Sequence, residues 1–257
     1  MKESIGFIGG GRVVSILLGG WARAGVMPDR VTVFDCSKDA LDNLKSRQPA
    51  TQTTGHIAEA ASRDVVFLAV HPPVIKEVLP QLKPHLKPRA LLISLAPKFT
   101  IARLSEMLGG FDRITRLIPN APSVVGRGFN PITFGQAVAM SDRESIRQVL
   151  QPLGDCPEVP ESHLEAYAIV AAMGPTYFWP QLYELKSLAE SFGLPEQSAM
   201  EAIDKMLWGT VATMKDAALS TEEVHDLIPL KPLAEEMTAL LAAYRKKLTG
   251  LMEKIRP

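Results

Sequence analysis

Apolar residues in the first part of the chain come in short unbroken runs separated by helical patterns, and in the last part at helical spacing alone. The first run, Ile5-Gly6-Phe7-Ile8, enters the cluster Gly9-Gly10-Gly11 and continues into an apolar helix over 16–24, closed by Gly25 with Pro28 just beyond. A second strand over 30–34 ends on Asp35, and Ser37 stands as the N-cap of the next helix. The runs over 64–70 and 90–95 have the length and apolarity of parallel strands buried on both faces, and 113–118 makes the next strand. Between them lie a helix over 74–82 and one capped by Thr100 that runs to Leu108. Residues 131–135 read as an edge strand, followed by a helix over 142–150 with the capping box Ser141 and Glu144. Strands alternating with helices predict an α/β domain with a doubly wound, Rossmann-like parallel sheet.

The loop around Gly154, Pro157 and Pro160 ends that alternation. A second capping box, Ser162 with Glu165, opens a long helix, and no further strand is legible. Gly193 and Pro195 separate it from a helix ending near Ala218. Ser220 with Glu223 opens a short one, Pro229 and Pro232 break the chain, and a last helix covers 233–255. These patterns divide the chain near Pro160 into a dinucleotide-binding domain, 1–160, and an all-helical substrate and dimerisation domain, 161–257. The helix over 164–188 is apolar on more than one face, so a homodimer through the C-terminal helices is expected.

The glycine cluster between strand and helix is where main-chain N–H groups can approach a pyrophosphate without obstruction by side chains. Gly9 and Gly11 occupy the first two fingerprint positions around Gly10, Arg12 and Val13 begin the helix, and Val14 replaces the third glycine. Asp35, about 20 residues further on, is placed to accept ribose hydroxyls. Ser37 and Lys38 could offer a hydroxyl and a cation to a 2′-phosphate, but Asp35 repels one, which gives NAD(P)H with a mild lean to NADH. Ligands of doubly wound sheets bind outside the carboxyl ends of the strands, which adds Ala69, Val70, His71, Pro72, Ala96 and Asn120 to the cofactor set.

Lys plus Arg equals Asp plus Glu at 28 each, so no long-range field draws the protein to nucleic acid or an anionic membrane. No apolar run reaches the roughly 20 residues that span a bilayer. Cys36 and Cys156 form neither a disulfide framework nor a metal-ligand spacing, and each reads as a small buried hydrophobe in a cytoplasmic protein. His163 and His225 have no ligand-spaced partners, so no metal is expected.

Four motifs in order, Gly6-Phe7-Ile8-Gly9-Gly10-Gly11, Ala69-Val70-His71-Pro72, Pro119-Asn120-Ala121-Pro122 and Gly174-Pro175-Thr176-Tyr177, resemble the pyrroline-5-carboxylate reductases over nearly the whole chain. The resemblance implies a nucleotide-binding domain, a helical dimerisation domain, and hydride transfer from NAD(P)H to a cyclic imine. Deazaflavin-linked NADP reductases are broader relatives with a similar N-terminal domain. Two departures stand out. The family's Ser-Gly-Ser run before Gly174 is Ala171-Ala172-Met173 here, and its Ser-Pro-Gly-Gly-Thr-Thr stretch is replaced by the sequence from Leu227 to Ala234, which has no hydroxyl. Lost substrate hydrogen bonds are worth about 1 kcal/mol each, so proline synthesis is not expected. The catalytic candidates are Lys231 in that loop, which could hold a carboxylate or act as an acid, His71 beside the nicotinamide as a proton donor, and Tyr177 in an aromatic stretch that could line a pocket. The leading reading is an oxidoreductase acting on the C=N or C=O bond of a small molecule; a catalytically silent NAD(P)-binding sensor is the alternative.

Overall fold

The structure is a computed structural model that describes residues 4–257. Strands β1 (Ile5–Ile8), β2 (Val31–Phe34), β3 (Gln52–Thr54), β4 (Val65–Leu68), β5 (Leu91–Ser94) and β6 (Ile114–Leu117) alternate with helices α1 (Arg12–Ala24), α2 (Lys38–Arg47), α3 (Ile57–Ala61), α4 (Ile75–Leu82) and α5 (Ile101–Met107). The six strands are parallel. Beyond them come β7 (Gly128–Phe129), β8 (Ile132–Phe134), α6 (Met140–Leu150) and β9 (Gly154–Asp155). The sheet runs β3-β2-β1-β4-β5-β6-β8, with β8 antiparallel on the far edge and β7 paired separately with β9. Strand order therefore reverses between β1 and β4, the switch point at which such sheets open a crevice.

β3 and α3 have no counterpart in the sequence reading, because the strand Gln52-Thr53-Thr54 is short and polar. Both faces of the sheet are packed. Phe7 stacks on Phe67 at 4.7 Å, and the Trp21 indole donates to the Val149 carbonyl at 2.8 Å. Gly25 takes the left-handed conformation (φ 70°) that ends α1, as its sequence position implied.

The chain separates into two compact units, the residues up to Met173 together with Leu251–Pro257, and Gly174–Gly250. The expected boundary near Pro160 thus lies inside the first unit, since Leu164 and Ala168 are buried with Ile118 at the end of β6. The long helix expected from Ser162 is also divided: α7 (Leu164–Tyr167) passes into a π-helical turn, Ala168–Ala172. Helix α8 (Pro175–Ser191) starts afresh after Gly174. Neither Ser141 nor Ser162 caps a helix. Helix α6 begins at Met140, so Ser141 lies within it, and Glu165 is buried against Arg116 rather than reaching back to Ser162.

The second unit consists of α8, α9 (Glu196–Asp216), α10 (Thr221–Asp226) and α11 (Ala234–Ile255) as far as Gly250. The Ser220 and Glu223 capping box forms with both of its hydrogen bonds. Helices α8 and α11 bury no residue, and α9 buries only Ala199 and Ile203. Among the described residues no helix is long and apolar enough to cross a membrane.

Candidate functional site

The register of the sheet brings its carboxyl ends level. Ile8 lies opposite both Phe34 and Leu68, Leu68 opposite Ser94, and Ser94 opposite Arg116. The segments leaving these ends, Gly9 to Gly11, Asp35, Ala69 to Pro72 and Ala96, therefore emerge side by side at the switch point. Gly9 adopts φ +106°, and a Cβ there would lie 2.7 Å from the Ala69 carbonyl oxygen, so the glycine lets the turn close over the end of β4. At Gly11 a Cβ would meet nothing within 4 Å. Helix α1 starts there with no side-chain cap and no acidic residue in its first turn. Its first N–H groups are thus left without a side-chain acceptor at the positive end of the helix dipole, the arrangement that receives an anion. Arg12 is exposed beside them, and Val14, in the third fingerprint position, is fully buried in the core.

Asp35 is fixed at the end of β2. Its carboxylate accepts from Gly10 N–H at 2.7 Å and from Ser37 N–H at 2.8 Å. The Ser37 hydroxyl caps α2, accepting from Ala40 N–H at 3.2 Å. Lys38 is paired with Asp42 one helical turn on, and the hydrogen bond to that carboxylate raises its pKa above the usual lysine value. Cys36, expected to be buried, is exposed, because β2 has already ended and the chain turns outward there. Cys156 is half-buried, and desolvation pushes its thiol up to about 12, so it stays protonated and inert.

Ala69 and Val70 are half-buried and His71 is exposed, ahead of the 3-10 turn Pro72–Val74. Asn120 serves as a strut. Its amide donates to the Ala171 carbonyl at 3.3 Å and accepts from Phe129 N–H at 3.0 Å, so both ends of the side chain are held inside the frame. Lys231 and Tyr177 belong to the second unit, where Lys231 is exposed and Tyr177 packs edge-on against Tyr244 at 5.8 Å. Burial, and then Tyr244, raise the Tyr177 phenol pKa.

Arg116, in the middle of β6, is fully buried and belongs to none of the sequence motifs. Its guanidinium donates to Glu161 at 3.1 Å and Glu165 at 2.5 Å. The signal was available: a charge in the middle of a buried strand requires a buried counter-charge. These three residues line a cavity of about 490 Å³ with Thr100, Met252 and Arg256. A smaller cavity of about 100 Å³ touches Val65 and Leu91, the first residues of β4 and β5, and so lies at the opposite end of the strands from the crevice. Among the described residues no group of three or more His, Cys, Asp or Glu is placed to hold a metal ion.

Residues 4–98 match a family model described as NADP oxidoreductase, coenzyme F420-dependent. The pyrroline-5-carboxylate reductase of Corynebacterium melassecola is 28% identical over 86% of this chain and 83% of its own length. That of Escherichia coli is 24% identical over 89% and 85%. Among solved structures, a pyrroline-5-carboxylate reductase from Coxiella burnetii is 27% identical with a TM-score of 0.69, covering 99% of this chain and 95% of its own. The chain is thus similar to pyrroline-5-carboxylate reductases over most of its length. Its fold is also that of the Plasmodium falciparum pyrroline carboxylate reductase solved with NADP bound, with a TM-score of 0.76 at 22% identity over 99% of this chain and 95% of that one. The reductase-like sequence and the doubly wound sheet with a helical C-terminal region thus agree.

Proposed function

We propose that the protein is an NAD(P)H-dependent oxidoreductase of imine-reductase type, reducing a C=N or C=O bond in a small molecule. The observation that carries this is the start of α1 at Gly11, which no side chain caps and where a Cβ would meet nothing within 4 Å, in a chain similar to reductases over most of its length. Gly9, Gly10, Gly11, Arg12 and Val13 would hold the pyrophosphate, with Asp35, Ser37 and Lys38 around the adenosine ribose. Ala69, Val70, His71, Pro72 and Ala96 would continue the crevice toward the nicotinamide, and Asn120 supports it from within. The dihydronicotinamide supplies the hydride, and the protein's part is to bind, orient and exclude water. Of the candidate acids, only His71 belongs to the unit that carries the crevice. Nothing observed favours the silent sensor.

The substrate is proposed to differ from that of the relatives. Ala171 and Ala172 are half-buried carbon side chains, and Ala171 offers only its carbonyl, already engaged by Asn120. In the second unit Leu227, Ile228, Leu230 and Leu233 are exposed in a stretch without hydroxyls. Oxidation of NADH and NADPH should be followed with a panel of cyclic imines and 2-oxo acids. Turnover is expected with a less polar imine, and little with pyrroline-5-carboxylate; a rate of about 10 per second on the latter would overturn the substrate reading. Gly11→Val should abolish cofactor binding while the fold persists, because among the described residues nothing lies within 4 Å of a Cβ there. Unchanged affinity would refute the pyrophosphate assignment.

A further inference from the structure

Lys98 has φ +77° and, with Ala218, is one of two non-glycine residues in the left-handed region among the described residues. Lysine seldom adopts that conformation unless its surroundings impose it, and such strain collects at functional sites. The surroundings that impose it are visible. Glu165 accepts Lys98 N–H at 3.0 Å with the same oxygen that receives the Arg116 guanidinium. Glu161 repeats the arrangement, accepting from Arg116 at 3.1 Å and from Ile101 N–H at 2.7 Å. One buried arginine on β6 thus holds two carboxylates, and each carboxylate holds one main-chain N–H of the segment that leaves β5.

Stability alone does not account for this arrangement. Burying an ion pair incurs desolvation that its attraction often fails to exceed, and Arg116 Nε has no hydrogen-bond partner among the described residues. What the arrangement does accomplish is to fix the turn Ala96-Pro97-Lys98. That turn leaves the sheet one strand beyond β4, on the side of the switch point away from β2 and Asp35.

We propose that Arg116 and Glu165 are positioning residues that hold the strained turn at Lys98 in place as the wall of the crevice against the nicotinamide half of the cofactor. The proposal rests on the dinucleotide reading of the crevice. Neither residue touches the ligand; each acts through the backbone of Lys98.

The test compares two ligands by calorimetry on the full chain: the nicotinamide dinucleotide that binds more tightly, and ADP-ribose, which has the adenosine and pyrophosphate but no nicotinamide. Glu165→Ala is expected to weaken the dinucleotide about tenfold, or about 1.4 kcal/mol, while ADP-ribose affinity stays within about twofold. Adding Lys98→Gly to Glu165→Ala should restore most of the loss, because glycine takes φ +77° without being held; a purely structural role for Glu165 would not be rescued in this way. Should Glu165→Ala not fold, Lys98→Pro leaves the Arg116 pair intact and removes both the N–H and the positive φ, with the same selective loss expected. Equal loss of both ligands, loss of neither, or no rescue by Lys98→Gly would overturn the proposal. Wild-type protein that binds neither ligand would instead overturn the dinucleotide reading beneath it.

Discussion

Asp35 engages both carboxylate oxygens with main-chain N–H groups, so its carboxylate is held at the end of β2, where the proposed function puts the adenosine ribose. Two like charges about 4 Å apart repel by roughly 1 kcal/mol in water and about 4 at a protein surface, which disfavours a 2′-phosphate. Lys38 is the cation that could offset this, but it is drawn to Asp42. NADH is therefore expected to bind a few-fold more tightly than NADPH. Asp35→Ser should narrow that ratio, and Asp42→Ala should narrow it too by releasing Lys38. Tighter NADPH binding by the wild type, or a ratio that neither substitution moves, would show that Asp35 does not address the ribose. A second residue-scale expectation concerns Asp64. Hydrogen bonds from Lys87 first, and then Ser4, lower its carboxyl from 3.8 to about 2. A carboxylate whose folded value lies below its unfolded one adds stability at neutral pH, and that stability fades as pH falls from the unfolded value through about 2. The side chain is 46% exposed, so solvent screening limits the contribution to about 1 kcal/mol or less. Asp64→Asn should lower the melting temperature at pH 7 by roughly 2–4 °C at most, and the difference should shrink in acid; a constant difference would show that the loss is not electrostatic. The placement of Gly9 and Gly11 in the turn between β1 and α1, and of Asp35 at the end of β2, was legible because short apolar runs and glycines mark such a strand-turn-helix unit. Arg116 and Glu165 were not, because their partners are distant in sequence.

Helix α1 is set by contacts as well as by the Gly25 turn that ends it. A Cβ on Gly20 would lie 2.4 Å from the Ser123 carbonyl oxygen and 2.5 Å from Leu153, so α1 lies backbone to backbone against the segment that follows Asn120. Gly20→Ala would improve helix propensity by about 1 kcal/mol. Overpacking of about 1–3 kcal/mol opposes it, and backbone atoms cannot move aside as a flexible side chain would. The variant is expected to be less stable in denaturant titration, whereas Gly25→Ala, where nothing lies within 4 Å, should lose stability only through its positive φ. A Gly20→Ala protein more stable than wild type would show that α1 can shift without cost. The elements that sequence exposed best were the buried strands and the helices with real caps at Ser37, Thr100 and Ser220. The two that misled, Ser141 and Ser162, carry the same residue pattern. Tertiary contacts decided otherwise in both places: Arg143 donates to the Val138 and Gly135 carbonyls beside one, and Glu165 is claimed by Arg116 beside the other.

In the second unit the apolar surface exceeds what the unit itself can cover. Phe178, Trp179 and Tyr183 on α8, Trp208, Val211 and Met214 on α9, and Leu240 and Leu241 on α11 are all exposed, Trp208 at 74%. Scattered exposed apolar residues are ordinary, but aromatic and methionine side chains on three helices of one small unit are the composition of an interface. Covering a Trp or Phe contributes about 1.5–3 kcal/mol each. Several together outweigh the cost of association, estimated at about 4–15 kcal/mol. A second copy of the chain is the expected partner, in keeping with the pattern that marked the C-terminal helices in the sequence. Sedimentation at micromolar concentration should give twice the chain mass. Trp208→Glu, which adds a charge without disturbing any buried residue of its own helix, should shift the protein toward monomer while the far-ultraviolet circular dichroism of the helices is retained. A wild-type monomer would leave these surfaces for another partner, and a Trp208→Glu protein that remains fully dimeric would place the interface elsewhere on the unit.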